Sequence, residues 1–554
     1  MRSTFSGIEI AKRSLFAQQT ALNTTGHNIA NANTQGYTRQ VVNLVASKPM
    51  EAVGLMRSNT PGQIGQGVEF DAIRRVRERF LDHQFYEENN SYGDWTVRKD
   101  VLEKLEAIFN EPSDTGVRQV IEKFWNAWQV FSKEPENPTA RAALKETALA
   151  MTDTFNHTSQ QLTNLKTDLT ENLNVKAREA NSILDQVARL NNEIFRVEGL
   201  GNDANDLRDQ RDLLVDQLSG IVNIQLSEDQ GGYNLKMGNI DLVRGIEVLT
   251  IFDSGDSTVG TGNVIKFEDA MASNDLTEGE AHGLIVSRDT NLTNYQYQLN
   301  AMIKSMVEGE VTLTLPAGSV LPPNLPKGAT YNGKVYTGTE TIPDTQRVLN
   351  ADTKITVKGL NGIHMLGYTL DTPPKSGIPF FTLREGEIEY NAWSIQVNPD
   401  IVGKVSNITA SSRVETDSSG NIVKDASGNE IAVKGNNAIA LAIAGLRNQR
   451  MDFDPNPSEP GQPLLNFGTF DEFYRAIVGQ LGVQTQEADR QATNQKVLVD
   501  QIDGRRQSVS GVSMDEEMAN MMKFQHAYNA AARMMTTFDE MLDKVINGMG
   551  TVGR

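Results

Sequence analysis

The six histidines are the side chains best suited to acid–base or metal chemistry in this chain. They are His27, His83, His157, His282, His364 and His526. No pair of them stands in an H-E-x-x-H arrangement or at another spacing typical of a metal site. Cysteine is absent, which excludes disulfides, thiolate zinc sites and cysteine nucleophiles. The residues therefore predict no metal centre.

Other catalytic patterns are missing as well. The sequence contains no G-x-S-x-G nucleophile elbow and no Walker loop. The carboxylate pair Asp206 and Asp209 lies on a predicted helix, where a solvated face is the simpler interpretation in so acidic a protein. The stretch "DASGNE" lacks the full spacing and the terminal glutamate of a calcium loop, so a plain turn is expected. We predict no catalytic residues, no cofactor and no enzyme activity.

Charge and hydropathy exclude two classes of partner. The net charge is −19, whereas a general nucleic-acid binder needs clustered lysine and arginine. No run of eighteen apolar residues exists, so no membrane span is expected. The N-terminal stretch lacks the apolar core of a secretory signal, which predicts that any export uses a route without signal cleavage.

A block of neutral amides near the start of the chain, "ALNTTGHNIANANTQGYTRQ" (residues 21–40), needs an explanation. It contains Asn23, Asn28, Asn31 and Asn33. Each amide both donates and accepts hydrogen bonds, so asparagines suit a contact between identical neighbours, where a buried charge would be costly. Asparagine side chains also compete with helical hydrogen bonds, which predicts that the helix ends near Asn33. Gly36 can then supply a positive φ for a turn before Tyr37, and His27 is expected to be a packing or surface residue.

The helix before this block has a narrow apolar stripe. Its members recur at intervals of seven, with two further residues that widen it: Ile8, Leu15, Leu22 and Ile29, then Phe5 and Ala11. Such a stripe is suited to a helical partner, although Lys12, Gln19 and Gly26 leave it half filled.

The last helix carries a second and longer stripe. A capping box, Ser513 with Glu516, starts it. Apolar residues then alternate at spacings of three and four: Met521, Phe524, Tyr528, Ala531, Met535, Phe538, Leu542, Val545 and Met549. Residues 1–50 hold five basic residues and one acidic residue, whereas residues 514–549 hold six acids and three bases. These opposite charges favour pairing of the two ends as a coiled coil; the other interpretation is that both ends pack onto central helices of one bundle.

Neither terminal helix is expected to fold alone. Fixing the backbone opposes folding by roughly 7–14 kcal/mol per heptad. Burial of two large side chains returns only about 3–6 kcal/mol. We therefore predict that the ends are mobile in the free monomer and become ordered when packed against each other and against neighbours.

Between the ends, the sequence predicts a helical bundle with a β-rich insertion. Helices are expected over about 70–110, over "GVRQVIEKFWNAWQVFS", over about sixty residues from Pro138, and over "DLRDQRDLLVDQLS"; a hairpin is expected around Gly231 and Gly232. The fold class is a multidomain α plus β fold. The predicted domains are a terminal coiled-coil assembly domain (1–60 and 509–554), an elongated helical bundle (61–220, 276–310 and 435–508), a β-hairpin region (221–275) and a β-rich variable outer domain (311–434).

The amide block resembles the N-terminal signature of the bacterial flagellar axial proteins, which are rod, hook and hook-associated components. The match runs through Leu22, Asn23, Asn28, Ile29, Ala30, Asn31, Thr34, Gly36 and Tyr37. The chain length resembles that of the hook-associated protein 1 family. Two further stretches resemble segments of that family: "NDLRDQRDLLVDQLSGIVNI" and "SGVSMDEEMANMMKFQHAYNAAARMMTTFDEMLDKVIN". Residues 311–434 match poorly, as expected of a variable surface domain.

The resemblance implies a structural adaptor that joins hook to filament after type III export to the cell exterior. The implied partners are other copies in a ring-like homo-oligomer, the hook protein, the second hook-associated junction protein and a cytoplasmic export chaperone on the C-terminal helix. The assembly interface is then expected at Phe5, Ile8, Leu15, Leu22, Asn28, Ile29, Asn31, Asn33, Gly36, Tyr37, Met521, Phe524, Tyr528, Met535, Phe538, Leu542 and Val545. Alternatives are a hook or distal rod protein, and a flagellar peptidoglycan hydrolase with its site in the insertion.

Overall fold

The computed structural model describes residues 5–48, 65–109, 116–255, 262–371, 373–418, 420–453 and 464–548. Met549 and residues 49–60, which belong to the predicted terminal domain, lie outside the described residues. The described part is a multidomain α plus β fold, as the sequence predicts. None of its helices combines the length and the apolar character that crossing a membrane requires.

The α-helices include both very long and very short ones. In chain order they are Ser6–Ala30 (α1), Arg79–Phe109 (α2), Val117–Lys133 (α3), Pro138–Glu198 (α4), Asn205–Ile221 (α5), Phe267–Ala272 (α6), Glu280–Ile285 (α7), Thr293–Glu308 (α8), Asp344–Arg347 (α9), Gly359–Met365 (α10), Pro399–Gly403 (α11), Ala438–Gly445 (α12), Phe470–Ser510 (α13) and Met514–Gly548 (α14).

The strands are short. They are Gln40–Ala46 (β1), Val68–Arg75 (β2), Gln225–Asp229 (β3), Gly232–Met237 (β4), Ile240–Arg244 (β5), Glu247–Val248 (β6), Thr250–Phe252 (β7), Asn263–Ile265 (β8), Glu310–Leu315 (β9), Thr330–Tyr331 (β10), Lys334–Val335 (β11), Thr353–Lys358 (β12), Phe381–Leu383 (β13), Ile395–Val397 (β14), Met451–Asp452 (β15) and Phe467–Gly468 (β16). They form sheets of order β3-β4-β5-β6 and β11-β10-β12-β9, and two-stranded sheets β1-β2, β7-β8, β13-β14 and β15-β16.

The chain divides into two compact units. The first comprises Met1–Thr96, Leu173–Gly283 and Gln491–Arg554, and the second comprises Val97–Asn172 and Leu284–Arg490. Both chain ends therefore belong to the first unit, and the predicted outer region belongs to the second. The finer division into four domains stays a prediction.

Hydrogen bonds define several helix starts and turns. Helix α4 begins at Pro138, and the Asn137 side chain caps it by accepting from the Thr139 N–H at 2.8 Å. Helix α13 begins with a reciprocal capping box, in which Thr469 N–H donates to Glu472 at 2.9 Å and Glu472 N–H donates to Thr469 Oγ1 at 3.3 Å. The predicted hairpin is β3–β4. "DASGNE" is a turn, in which the Asp425 carboxylate accepts from backbone N–H groups of Ser427 and Asn429.

The helix predicted over residues 70–110 is wrong at its start. Residues 68–75 form strand β2, which pairs antiparallel with β1, and the helix begins only at Arg79. "VEFDAIRR" carries β-branched and aromatic residues, and β1 supplies the partner strand that a local pattern cannot reveal. Strand β1 follows the turn at Gly36 and Tyr37.

The core of the second unit is an aromatic cluster around one buried histidine. The rings of Phe124, Trp128, Phe380 and His364 pack edge-on or tilted at centroid distances of 5.2–6.4 Å. His364 Nε2 accepts from the Thr409 N–H at 2.9 Å, so Nδ1 carries the proton and donates to the Ile378 carbonyl at 2.7 Å. Both hydrogen bonds therefore require the neutral imidazole of His364.

His364 gives the second unit a predicted pH dependence. Burial lowers its pKa from the ordinary 6.5 to about 4, against the opposing effect of the Ile378 hydrogen bond. The unfolded chain therefore binds the proton first as pH falls, and up to about 3 kcal/mol of stability is lost between pH 6.5 and 4.

Urea denaturation followed by tryptophan fluorescence measures this loss, since Trp125 and Trp128 lie in the second unit. We expect His364→Gln to lower stability at pH 7.5 and to flatten the pH dependence. The exposed His157, changed to Gln, is the matched control and should leave the profile as it is. An equally steep profile in His364→Gln would contradict the assignment.

Candidate functional site

The two chain ends pair as antiparallel helices within the first unit. The start of α1 meets the end of α14, because a Cβ added to Gly7 would overlap the Phe538 ring. The end of α1 meets the start of α14, where Asn28 donates to Glu517 at 3.0 Å. Three heptads separate Gly7 from Asn28 on α1, and three heptads separate Glu517 from Phe538 on α14. The two helices therefore keep one register between the two contacts. The predicted pairing of the ends is confirmed.

Helix α1 lies between α14 and the β1–β2 hairpin, since it contacts both. Its most buried side chains are small: Ala11, Ala17, Ala21, Thr24 and Thr25, together with Asn28. The predicted stripe of large residues is instead only half-buried, at Ile8, Leu15, Leu22 and Ile29. Close packing through alanine and Gly7 explains the difference, because small side chains let neighbouring backbones approach.

Helix α14 is covered on one face. The predicted positions Met521, Phe524, Tyr528, Met535, Phe538 and Leu542 are half-buried there. Two predicted positions at the far end of the pair, Phe5 and Val545, are exposed. Other apolar side chains that the pattern did not single out are also exposed, at Phe16, Met518, Met522 and Met541.

A buried polar network lies at the other end of the helix pair, where α1 ends and α14 begins. Asn28 is at the centre of this network. The Asn28 side chain is 1% exposed and makes four hydrogen bonds. Nδ2 donates to the Gln40 carbonyl at 2.8 Å and to Glu517 at 3.0 Å. Oδ1 accepts from the Gln40 N–H at 3.0 Å and from the Tyr37 hydroxyl at 2.8 Å. The amide is fully satisfied inside the chain, so Asn28 does not belong to the surface predicted for contact between subunits.

Glu517 is the buried charge of this network, at 2% exposure. The Arg39 guanidinium reaches its carboxylate at 2.8 Å and also contacts Glu516 at 3.0 Å. The Arg39 backbone N–H donates to the Ser510 carbonyl at 2.8 Å. Arg39 therefore connects the segment after α1 to the start of α14 through both its side chain and its backbone. A buried carboxylate is stable only with such a partner.

Tyr37 and His27 complete the network towards α5. The Tyr37 hydroxyl proton goes to Asn28, so His27 Nδ1–H donates to the Tyr37 oxygen at 3.0 Å. Burial, and then Asp206, Asp209 and Glu517, raise the pKa of Tyr37 well above its usual range, which keeps the hydroxyl a donor. His27 is exposed and contacts Tyr37, in agreement with the packing or surface residue that the sequence predicts.

The other residues of the amide block shape the end of α1. Asn31 Nδ2 donates to the His27 carbonyl at 3.1 Å, which caps the last turn, and the helix ends at Ala30 as expected within a few residues. Gly36 has φ of +79°, and a side chain there would also press on Leu213, so two constraints select glycine. Asn33 is exposed and Asn31 is half-buried, so these two lie at the surface of the chain.

The hairpin is anchored to α5 by carboxylates. Thr38 N–H donates to Asp209 at 3.0 Å, and Arg75 bridges Asp209 and Asp212 at 2.7 Å each. Asp209 and Asp212 are buried, so the expected solvated face holds for Asp206 and is wrong for Asp209. Burial raises the pKa of Asp209, whereas at Asp212 burial is outweighed by Arg77 and Arg75, which lower the pKa.

The end of α13 is tied to the same helix. Arg506 binds Asp216 at 2.8 Å and Asp82 at 3.2 Å beside a cavity of about 30 Å³. Burial raises the pKa of Asp216 to about 6 although Arg506 opposes the shift. Each cation–carboxylate pair named here links separate elements, so these contacts hold the helices and the β1–β2 sheet together.

Sequence reasoning missed Arg39, Glu517, Arg75 and Asp212. The one signal that pointed to them is the opposite charge of the two ends, which indicates pairing without naming partners. Among the residues described, no group of three histidine or carboxylate side chains is arranged to hold a metal ion.

Three family models match parts of the chain. Residues 102–310 match the flagellar hook-associated protein FlgK helical domain. Residues 8–38 match the flagella basal body rod protein family, and residues 506–548 match the flagellar basal body rod FlgEFG protein C-terminal family. The two rod-type matches thus fall on the paired ends.

Whole-chain relatives share one name. Flagellar hook-associated protein 1 of Bacillus subtilis (strain 168) is 34% identical over 563 residues, which covers 100% of both chains. The proteins of that name from Salmonella typhimurium and Escherichia coli (strain K12) are 27% and 25% identical, and each alignment covers 98% of this chain and 99% of the relative. Among solved structures, the flagellar hook junction protein FlgK from Burkholderia pseudomallei is similar with a TM-score of 0.48 and 16% identity, covering 77% of this chain and 100% of that one.

Proposed function

This chain belongs to the flagellar hook-associated protein 1 family, and on that premise we propose that it is the structural adaptor that joins hook to filament. The observation that carries the proposal is the similarity to flagellar hook-associated protein 1 along the whole length of both chains. It is a structural component of the bacterial flagellum.

The other axial proteins are less well supported. A hook or distal rod protein shares only the ends, since the rod-type families match residues 8–38 and 506–548. The helical region over residues 102–310 matches the hook-associated family instead. A peptidoglycan hydrolase needs a reactive carboxylate pair in the insertion; turnover of cell-wall substrate by the 221–434 fragment would revive that alternative.

The paired ends supply the proposed mechanism of assembly. Once assembly orders the ends, the Asn28–Glu517–Arg39 network fixes α1 against α14 within each subunit, and the exposed residues at the far end of the pair are left for neighbours. Phe5 and Val545 on this surface, and Asn31 and Asn33 beside the network, are the residues we assign to contacts between subunits. A contact between two different surfaces repeats from copy to copy, and it generates a ring where the rotation closes.

The proposed partners follow from the same family. They are other copies of the chain, the hook protein below, the second hook-associated junction protein above, and a cytoplasmic export chaperone on α14. Export by the flagellar type III route, without a cleaved signal, then places the chain outside the cell. No catalysis is proposed.

Removing the protein from its host tests the adaptor role. We expect complete hooks that carry no filament, with flagellin released into the medium, and restoration of filaments by the reintroduced gene. A rod or hook protein would instead leave no complete hook, and that phenotype would overturn the proposal in favour of its alternative.

The free monomer is expected to have mobile ends. Of the described residues of α14, only Glu517 and Ala531 are buried, so pairing with α1 alone leaves most of the helix exposed. Circular dichroism of the monomer, with and without residues 1–30 and 514–554, measures their helix content. We predict nearly equal molar ellipticity at 222 nm for both proteins; a loss in proportion to the removed helices would contradict mobile ends.

Two glycines of α1 provide a matched pair of variants. Gly7→Ala must displace the Phe538 ring, whereas the side of α1 at Gly26 has open space within 4 Å. Both changes favour helix by up to about 1 kcal/mol, so they differ mainly in the clash. We expect several-fold fewer filaments per cell with Gly7→Ala and a wild-type number with Gly26→Ala. Equal filament counts would show that Gly7 does not set the spacing of α1 and α14.

A further inference from the structure

The second unit carries a small groove lined by aromatic rings and edged by arginines. Trp125 of α3 and Phe470 of α13 stack with centroids 5.8 Å apart, and Tyr474 lies beside them. The groove has a volume of about 130 Å³. The three rings are only 2–4% exposed, so they form the floor of a recess that the described part of the chain leaves unfilled.

The edge of this groove is positively charged. Among the described residues, Arg118, Arg447 and Arg475 line it together with two carboxylates, Glu122 and Asp471. Arg118 and Arg475 share Asp471, and Arg447 binds Glu122 at 3.2 Å. The described lining of the recess therefore carries one excess positive charge, on a chain whose net charge is −19.

The same unit carries a feature of opposite charge in the loop between β13 and β14. At its tip, "EGEIE" (residues 385–389) places Ile388 at 89% exposure among three glutamates. Glu389 contacts Lys304 at 3.2 Å, while Glu385 and Glu387 have no cationic partner among the described residues. The tip is thus an exposed apolar side chain flanked by negatively charged glutamates.

The loop is held rigid, which favours binding. Gly386 turns the chain with φ of +90°, and Glu387 N–H donates to the Arg384 carbonyl at 3.1 Å. The Ser394 hydroxyl donates to the Glu389 carbonyl at 2.6 Å, which closes the loop at its base. A loop already fixed in one conformation loses little entropy when it docks.

We propose that the 385–389 loop of one copy inserts Ile388 into the Trp125–Phe470 groove of a second copy, with its glutamates facing Arg447 and Arg475. Burial of an isoleucine and charge complementarity favour this contact. Because loop and groove are different surfaces, the contact is heterologous and propagates from copy to copy. It rests on the proposed self-assembly and adds a contact through the second unit to that of the paired ends.

Cysteine cross-linking tests the contact, because the native chain has no cysteine. Ile388→Cys and Arg475→Cys are placed in two differently tagged full-length chains that are co-expressed in the host. Flagella are purified and oxidised, and mixed-tag dimers are measured. The control replaces Ile388→Cys by Val335→Cys, a residue of the same unit that is 62% exposed.

We expect at least tenfold more mixed dimer from the 388–475 pair than from the 335–475 pair. Equal yields in flagella that contain both chains and carry filaments would overturn the contact and leave the adaptor function standing. Absence of the chains from purified flagella would overturn both. A photo-cross-linking amino acid at position 388 identifies the occupant: an adduct with a second copy supports the contact, and an adduct with a different protein only would contradict it.

Discussion

Arg39→Ala is expected to abolish filament assembly, because it removes the cation that compensates the buried carboxylate of Glu517. Three bonds are lost at once: both contacts of the guanidinium with Glu517 and its contact with Glu516. Breaking one side of a buried ion pair opposes folding by about 3–5 kcal/mol. Since about 1.4 kcal/mol is a factor of ten in an equilibrium, pairing of α1 with α14 would fall by more than a hundredfold.

A second change tests whether the charge is the cause. Glu517→Gln added to Arg39→Ala replaces the buried carboxylate by an amide, which removes most of the penalty and still accepts from Asn28. We expect filaments per cell to recover to within a few-fold of the parent. Lys523→Ala, which removes an exposed base from the same helix, should change nothing. If the double variant assembles no better than Arg39→Ala, the ion pair is not what closes the network.

Phe538→Asp is expected to have an effect of similar size at the other end of the pair. The ring packs directly on the backbone at Gly7, so an aspartate loses apolar contact and places a charge against a helix surface. We expect incorporation into flagella to be lost and the second unit to unfold in urea as in the parent. Leu542→Asp, on the same half-buried face, should behave alike.

Met541→Asp is the matched control for this change. Met541 lies on α14 outside the face that meets α1, and it is exposed. The variant should keep the helix pair intact. If Phe538→Asp and Met541→Asp enter flagella equally well, the intramolecular pairing of the ends is not required for assembly.

Periodicity predicted the terminal helices and their pairing, because apolar residues at spacings of three and four, and a capping serine, are local properties. It predicted less well which residues pack closest. The heptad stripe drew attention to Ile8 and Leu15, whereas contact depends on Gly7 and the alanines. Ala11 was part of the predicted stripe and is buried, but glycine gives no hydropathy signal, and the role of Gly7 appears only when the partner ring of Phe538 is known.

The polar network was the least predictable part of the site. Asn28 bonds Gln40 nearby, but also Glu517 at the opposite end of the sequence, and no local pattern joins them. The neutral side chains of the amide block suggested contact with neighbouring subunits. For Asn28, burial within its own chain explains why a neutral amide stands there. Asn31 and Asn33 remain at the surface, where the predicted contact between subunits still applies to them.

The position of the protein on the flagellum tests the central claim most directly. An epitope inserted at the exposed turn of Asn332 and Gly333, between β10 and β11, avoids both the paired ends and the 385–389 loop. Gold labelling and electron microscopy of intact flagella then locate the chain. We predict a single narrow band where the hook meets the filament; label along the hook, on the rod or along the filament would contradict the assignment as a junction protein.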